Sequence, residues 1–127
     1  MNNRILGTDK KSFSLFYNGG SIWCEHLDSL YNEYEIVKAK FTQDLAEIKK
    51  PSESAFIAIA LAQTEVTKEI LNFLYDGLTR IDRPLQKIVL IGLSFPMKRY
   101  AKKTWKDAGF LINCIDDFEH AKMWLLP

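Results

Sequence analysis

What this chain lacks narrows it faster than what it contains. Among its 127 residues there are two cysteines, Cys24 and Cys114, set in apolar surroundings with neither a CxxC pair nor metal-ligand spacing. They read as reduced core thiols, because free cysteine is among the most buried residue types. Charge of one sign is also missing: 17 Lys plus Arg stand against 16 Asp plus Glu. The resulting net charge of +1 supplies no field that would draw the protein onto nucleic acid, so any electrostatic recognition must be local. The longest uninterrupted apolar run, Ala55 to Ala62, falls far short of the ~20 residues that cross a bilayer. Met1 to Gly7 has no long apolar stretch followed by a small-residue cleavage site, so a cytoplasmic protein is expected.

The motifs of common α/β enzymes are absent too. A phosphate-cradling turn needs glycines after the first buried strand, and here the strand ending at Ala62 runs on as Gln63-Thr64-Glu65-Val66. A phosphoacceptor site needs acidic residues at that strand end to hold a divalent metal; Ala60, Leu61 and Ala62 occupy it. There is no GxSxG elbow, and neither His26 nor His120, the two imidazoles, has a second ligand nearby in sequence. No catalytic residue, metal site or cofactor is therefore expected, and an enzyme reading would need residues that converge only in space.

What is present describes a domain of ordinary composition. A chain of this length buries about two-thirds of its unfolded surface, and 47% hydrophobic with 26% charged residues leaves no room for a long disordered tail. No linker-like tract divides residues 1–127, so one domain is expected. Ser12 to Tyr17 and Ser21 to His26 read as strands joined through Asn18-Gly19-Gly20, a hairpin signal. Leu27 to Glu33 mixes helical spacing with turn residues and reads as a linker. Tyr34, Val37, Phe41, Leu45 and Ile48 recur at steps of three and four, predicting a helix from Tyr34 to Lys50, closed by lysines in its final turn and by Pro51.

Ala55 to Ala62 is apolar on both alternating faces, the mark of a central strand covered on both sides. Val66 to Ile81 carries the clearest helical stripe, with Thr67 as cap and Val66 and Leu71 as staple. Lys87 to Leu93 repeats the buried-strand pattern. Pro96 suits the first position of a helix whose inner face holds Met97, Tyr100, Ala101, Thr104, Trp105 and Ala108, ended by Gly109. Phe110 to Ile115 forms a last strand, and Asp116 or Asp117 caps a final helix that buries Phe118, Ala121, Trp124 and Leu125. This alternation predicts an α/β fold: a mixed sheet with an N-terminal hairpin and parallel strands covered by helices.

Two stretches stand above this background. After Pro96, Lys98, Lys102 and Lys106 stand at intervals of four with Arg99 and Lys103 alongside. That basic face suits an acidic partner, a phosphate or an anionic headgroup, or is simply the polar side a half-buried helix must show to water. Lys98, Arg99 and Lys102 are its candidate anion contacts. The other stretch is the loop from Ala62 to Lys68, at the carboxyl end of the central strand, where open α/β sheets place their sites. Its hydroxyls are Thr64 and Thr67; at a helix N-terminus Thr67 could accept a phosphate or serve only as a cap.

From about Phe13 onward, the order hairpin, helix, strand, helix, strand, helix, strand, helix resembles the STAS domain of bacterial anti-anti-sigma factors and SpoIIAA-like proteins. The carrying residues are Ile59-Ala60-Leu61-Ala62, Val66-Thr67-Lys68-Glu69-Ile70-Leu71, Lys87-Ile88-Val89-Leu90-Ile91-Gly92 and Asp117-Phe118-Glu119-His120-Ala121-Lys122-Met123-Trp124-Leu125. The last is similar to the D-x-E-x-A-x-x-W-L finish of SpoIIAA-like members. Phosphorylatable members carry an Asp-Ser-Ser-Gly-like motif after the central strand; here Thr67-Lys68-Glu69-Ile70 stands there, with Thr67 as the hydroxyl that remains. The resemblance implies a non-catalytic regulatory module that binds a protein partner through Thr64, Glu65, Thr67 and Lys68, without the usual serine phosphoswitch. Its alternative, since SpoIIAA-like domains resemble lipid carriers, is a binder of an anionic small ligand or lipid headgroup between the loops Leu61 to Val66 and Leu93 to Met97.

Overall fold

The computed structural model describes residues 10–127; Met1 to Gly7, read above for a secretory signal, lies outside the described residues. Strand β1 (Phe13–Tyr17) turns through Asn18 and Gly19 into β2 (Gly20–His26). Both turn residues have positive φ, 50° and 83°, as a two-residue hairpin loop with the twist of its strands requires. The chain continues through α1 (Tyr34–Ile48), β3 (Phe56–Ala60), α2 (Lys68–Thr79), β4 (Lys87–Ile91), α3 (Phe95–Thr104), β5 (Leu111–Cys114) and α4 (Phe118–Leu125).

The five strands form one mixed sheet in the order β1-β2-β3-β4-β5, antiparallel at the hairpin and parallel from β2 onward. The two wholly apolar stretches, β3 and β4, lie side by side in the same direction, Ile57 opposite Ile88 and Ile59 opposite Leu90. Parallel neighbours taken in chain order need crossovers of one hand, and that sends every connecting helix to the same face. Accordingly α1, α2 and α3 share one core with Trp23, Ile57, Ile59, Ile88 and Leu90. The other face, with Ile22, Cys24, Ala58, Val89 and Ile91, packs against Ala121 and Leu125 of α4.

Several boundaries differ from the sequence reading. Strands β3, β4 and β5 stop one or two residues early because loop conformation begins while the chain is still apolar. Lys49 and Lys50 lie past the last turn of α1 rather than in it. Pro96 takes the second helical position, after Phe95, with Ser94 as N-cap. Helix α3 ends at Thr104, so Trp105, Lys106 and Ala108 lie beyond it. The row Lys98-Lys102-Lys106 is therefore broken at its third member, although Trp105 is fully buried against Tyr75 and Phe110. Asp117, not Asp116, caps α4, accepting from the His120 N–H at 3.0 Å.

Candidate functional site

The loops after β2, β3 and β4 emerge together at the carboxyl edge of the sheet, and the first two are zipped by backbone hydrogen bonds. Ser29 N–H donates to Ala62 O at 2.8 Å, Tyr31 N–H to Gln63 O at 2.9 Å, and Glu65 N–H to Tyr31 O at 2.7 Å. The pairing of β2 with β3 thus runs past both strand ends to a parallel bridge between Tyr31 and Thr64. The stretch Leu27 to Glu33 is therefore more than a linker: it buries Leu27 and Leu30 and doubles the edge.

Holding this shape takes uncommon backbone. Ser29, Tyr31 and Gln63 have φ of 60°, 50° and 58°, left-handed values that non-glycine residues adopt only where the surroundings over-determine them. Thr64 does much of the holding, since its hydroxyl donates to Leu27 O and accepts from Leu30 N–H. At 9% exposure it is an internal tie rather than the contact residue expected from the sequence.

The β4–α3 loop joins the same edge through Gly92. Its φ is +92°, and a Cβ there would lie 2.7 Å from Ala62 N; only glycine allows both the conformation and this approach. Between the two loops opens a solvent-facing cleft of about 350 Å³, lined by Thr64, Glu65, Val66, Gly92, Leu93 and Ser94. Tyr31 on one side of this edge and Phe95 on the other are 60% and 69% exposed.

The remaining residues singled out from the sequence divide by what holds them. Glu65 and Lys68 are exposed; the Lys68 ammonium lies 5.2 Å from the Tyr100 ring centroid, which links α2 to α3. Thr67 is the N-cap of α2, accepting from the Ile70 N–H at 3.2 Å. Lys98 is ion-paired with Asp116 at 2.6 Å, so its charge is already met and it is not a free anion contact. Arg99 and Lys102 are exposed, with the Arg99 guanidinium 5.9 Å from the Phe95 ring centroid.

Burial pushes the Cys24 thiol up to about 11, only partly offset by the charge of Lys122. It raises Cys114 as well, against Lys102 and Lys98. Thiols held protonated are poor nucleophiles. Each histidine does have a carboxylate beside it, at His26 Nδ1 to Asp28 Oδ1 (3.0 Å) and His120 Nδ1 to Asp117 Oδ2 (2.8 Å). Burial alone would raise Asp28, but hydrogen bonds from His26 and Lys10 outweigh it and hold the carboxyl at about 2. Among the described residues no hydroxyl or thiol hydrogen-bonds the free nitrogen of either ring, and no His/Cys/Asp/Glu group has the arrangement of a metal site.

The sequence reading missed a buried polar cluster beneath α1. Glu25 is fully buried and accepts from Trp23 Nε1–H at 2.8 Å. Burial, then the neighbouring Asp44 carboxyl, push it up to about 9, a shift that favours the neutral acid. Burial would raise Asp44 as well, but the bonds from Glu25, Ser12 and Lys40 lower it. Glu25 Oε2 has no hydrogen-bond partner among the described residues while the group is a carboxylate; the neutral acid would gain one by donating to the neighbouring Asp44 carboxylate. A signal existed in the strand alternation, because Glu25 shares the inward register of Trp23. Compared with known proteins, the chain matches no family model, no curated protein and no solved structure.

Proposed function

We propose that the chain is a non-catalytic interaction module of the STAS or SpoIIAA-like kind, which binds a protein partner at the carboxyl edge of its sheet. The observation that carries this reading is the zipped, left-handed edge that displays Tyr31 and Glu65 on a backbone with little freedom to move. Rigid exposed aromatics beside polar groups are the usual anchors of protein interfaces, since little conformational entropy is lost on binding. The order of elements agrees with the resemblance. Thr67 supports a constitutive rather than phosphoswitched module, because its hydroxyl is engaged in capping α2.

The alternative, an anionic ligand or headgroup between the loops, draws support from the cleft itself. Against it stand the Glu65 carboxylate in the lining and the pairing of Lys98 with Asp116. Capture from the native cell tests the proposal, using the unaltered chain, Tyr31→Ala, and a control, Phe16→Ala, at the far end of the sheet. A partner retained by the unaltered chain and the control but lost by Tyr31→Ala is the expected result. Equal retention by all three, or no specific partner, sinks it.

A further inference from the structure

We infer that the outer stripe of α3, continuous with the cleft at its start, is a docking track for a short acidic segment of the protein partner; this rests on the interaction reading above. Phe95, Arg99 and Lys102 recur at steps of four and three and so share one stripe, with Lys103 beside it and Ala101 buried on the opposite side. Lys106 extends the charge past the helix end. From Phe95 to Lys106 the chain carries five cations and no carboxylate.

Three lysines on α1 and α4 have acids of their own, Lys38 with Glu35, Lys40 with Asp44 and Lys122 with Glu119, while Lys68 of α2 lies over the Tyr100 ring instead. On α3 only Lys98 is paired; among the described residues Lys102 and Lys103 make no ion pair, nor does Lys106 beyond the helix end. Like charges left together repel one another, and an anionic partner removes that cost.

The length and borders of the track select among anions. A ten-residue helix is about 15 Å long, the span of about five residues of extended chain. Exposed carboxylates bound it, Glu65 in the cleft at one end and Asp107 after Lys106 at the other. They repel a long polyanion such as nucleic acid but tolerate a short segment. A membrane is disfavoured because the apolar side of the helix is committed to the core, leaving Phe95 nearly alone to insert.

The test is fluorescence anisotropy with a labelled peptide of one leucine followed by a short run of glutamates. Vesicles of phosphatidylserine with phosphatidylcholine, and a short single-stranded DNA, serve as competitors. Saturable peptide binding is expected, weakening as salt rises to about 0.3 M. The triple change Arg99→Glu, Lys102→Glu, Lys103→Glu is expected to weaken it by about tenfold or more, and Lys49→Glu, just past α1, to leave it unchanged. The neutral triple Arg99→Gln, Lys102→Gln, Lys103→Gln, checked for folding by circular dichroism, is expected to weaken it as well. No saturable binding, equal binding by a folded triple variant, or tighter binding to vesicles or DNA overturns the track. If the captured native partner is lost by Tyr31→Ala but kept by the triple variants, the track fails while the interaction reading stands. If Tyr31→Ala keeps it, that reading fails whatever the peptide does.

Discussion

On one face of the sheet three helices cover Trp23, Ile57, Ile59, Ile88 and Leu90; on the other, eight-residue α4 is the one helix among the described residues that lies over Ile22, Cys24, Ala58 and Val89. The first face is filled because every crossover must pass there. Among the described residues the second is closed by the chain beyond β5. Five strands at about 4.8 Å spacing are about 19 Å across, wider than one helix of about 10 Å diameter. Among the described residues the flanks of the α4 face are consequently open, with Phe13 and Leu111 at 44% and 61% exposure. Small side chains at Cys24, Ala58 and Ala121 let α4 sit close where it does touch, and Asn18 Nδ2–H clasps its end by donating to Leu126 O and Pro127 O. Coverage set by connectivity, more than hydrophobicity, separates the two faces.

The largest effect that could break this contrast is a truncation on each side. Trp105→Ala should cost about 3–5 kcal/mol and Leu125→Ala about 2–3 kcal/mol in urea unfolding; equal costs would erase the distinction. Trp105→Phe sharpens it, because the buried Trp105 Nε1–H has no hydrogen-bond partner among the described residues, and losing that orphan offsets part of the lost ring.

Glu25 supplies the next effect, and it belongs to the crossover face alone. Its pKa is raised in the fold from 4.5 to about 9. Its contribution to stability is therefore fully present below about pH 4.5 and lost progressively as pH rises through 9. Glu25→Gln keeps both bonds of the neutral acid without titrating. It should be more stable than the unaltered chain at pH 9, by several kcal/mol, with little difference at pH 4.5. Melting curves across that range check it, and parallel pH profiles for the two proteins would refute the neutral-acid assignment.

Thr67→Ala should cost about 1 kcal/mol, the loss of a cap, and Thr67→Ser should restore it; a loss of partner capture far beyond that destabilisation would identify a switch instead. The smallest effect lies on the open flank. Leu111→Thr should change stability by less than ~0.5 kcal/mol, and a larger loss by urea unfolding would mean that the flank is covered in solution.

Element types were legible because their signals are local. The stripe of α2, the hairpin turn at Asn18-Gly19 and the two apolar strands each declare themselves within a few residues. The site was legible only in outline. Sheet topology placed the Ala62–Lys68 loop at the carboxyl edge, but nothing local showed that the Thr64 hydroxyl would turn inward to Leu27 and Leu30. Nor did it show that Leu27 to Glu33 would be the loop's partner. Likewise the basic run after Pro96 was plain, while the commitment of Lys98 to Asp116 depends on a residue 18 positions away.

By itself the sequence determined the kinds and order of elements and the parallel succession of strands, because periodicity and crossover handedness act along the chain. Only the tertiary structure decided which polar groups were consumed in holding it. Thr64, Lys98, Glu25 and Asp44 all take partners from distant segments, and a hydrogen bond or ion pair across segments leaves no periodic trace in either one. The charges and rings left over, Arg99, Lys102, Tyr31 and Phe95, are the surface offered for recognition.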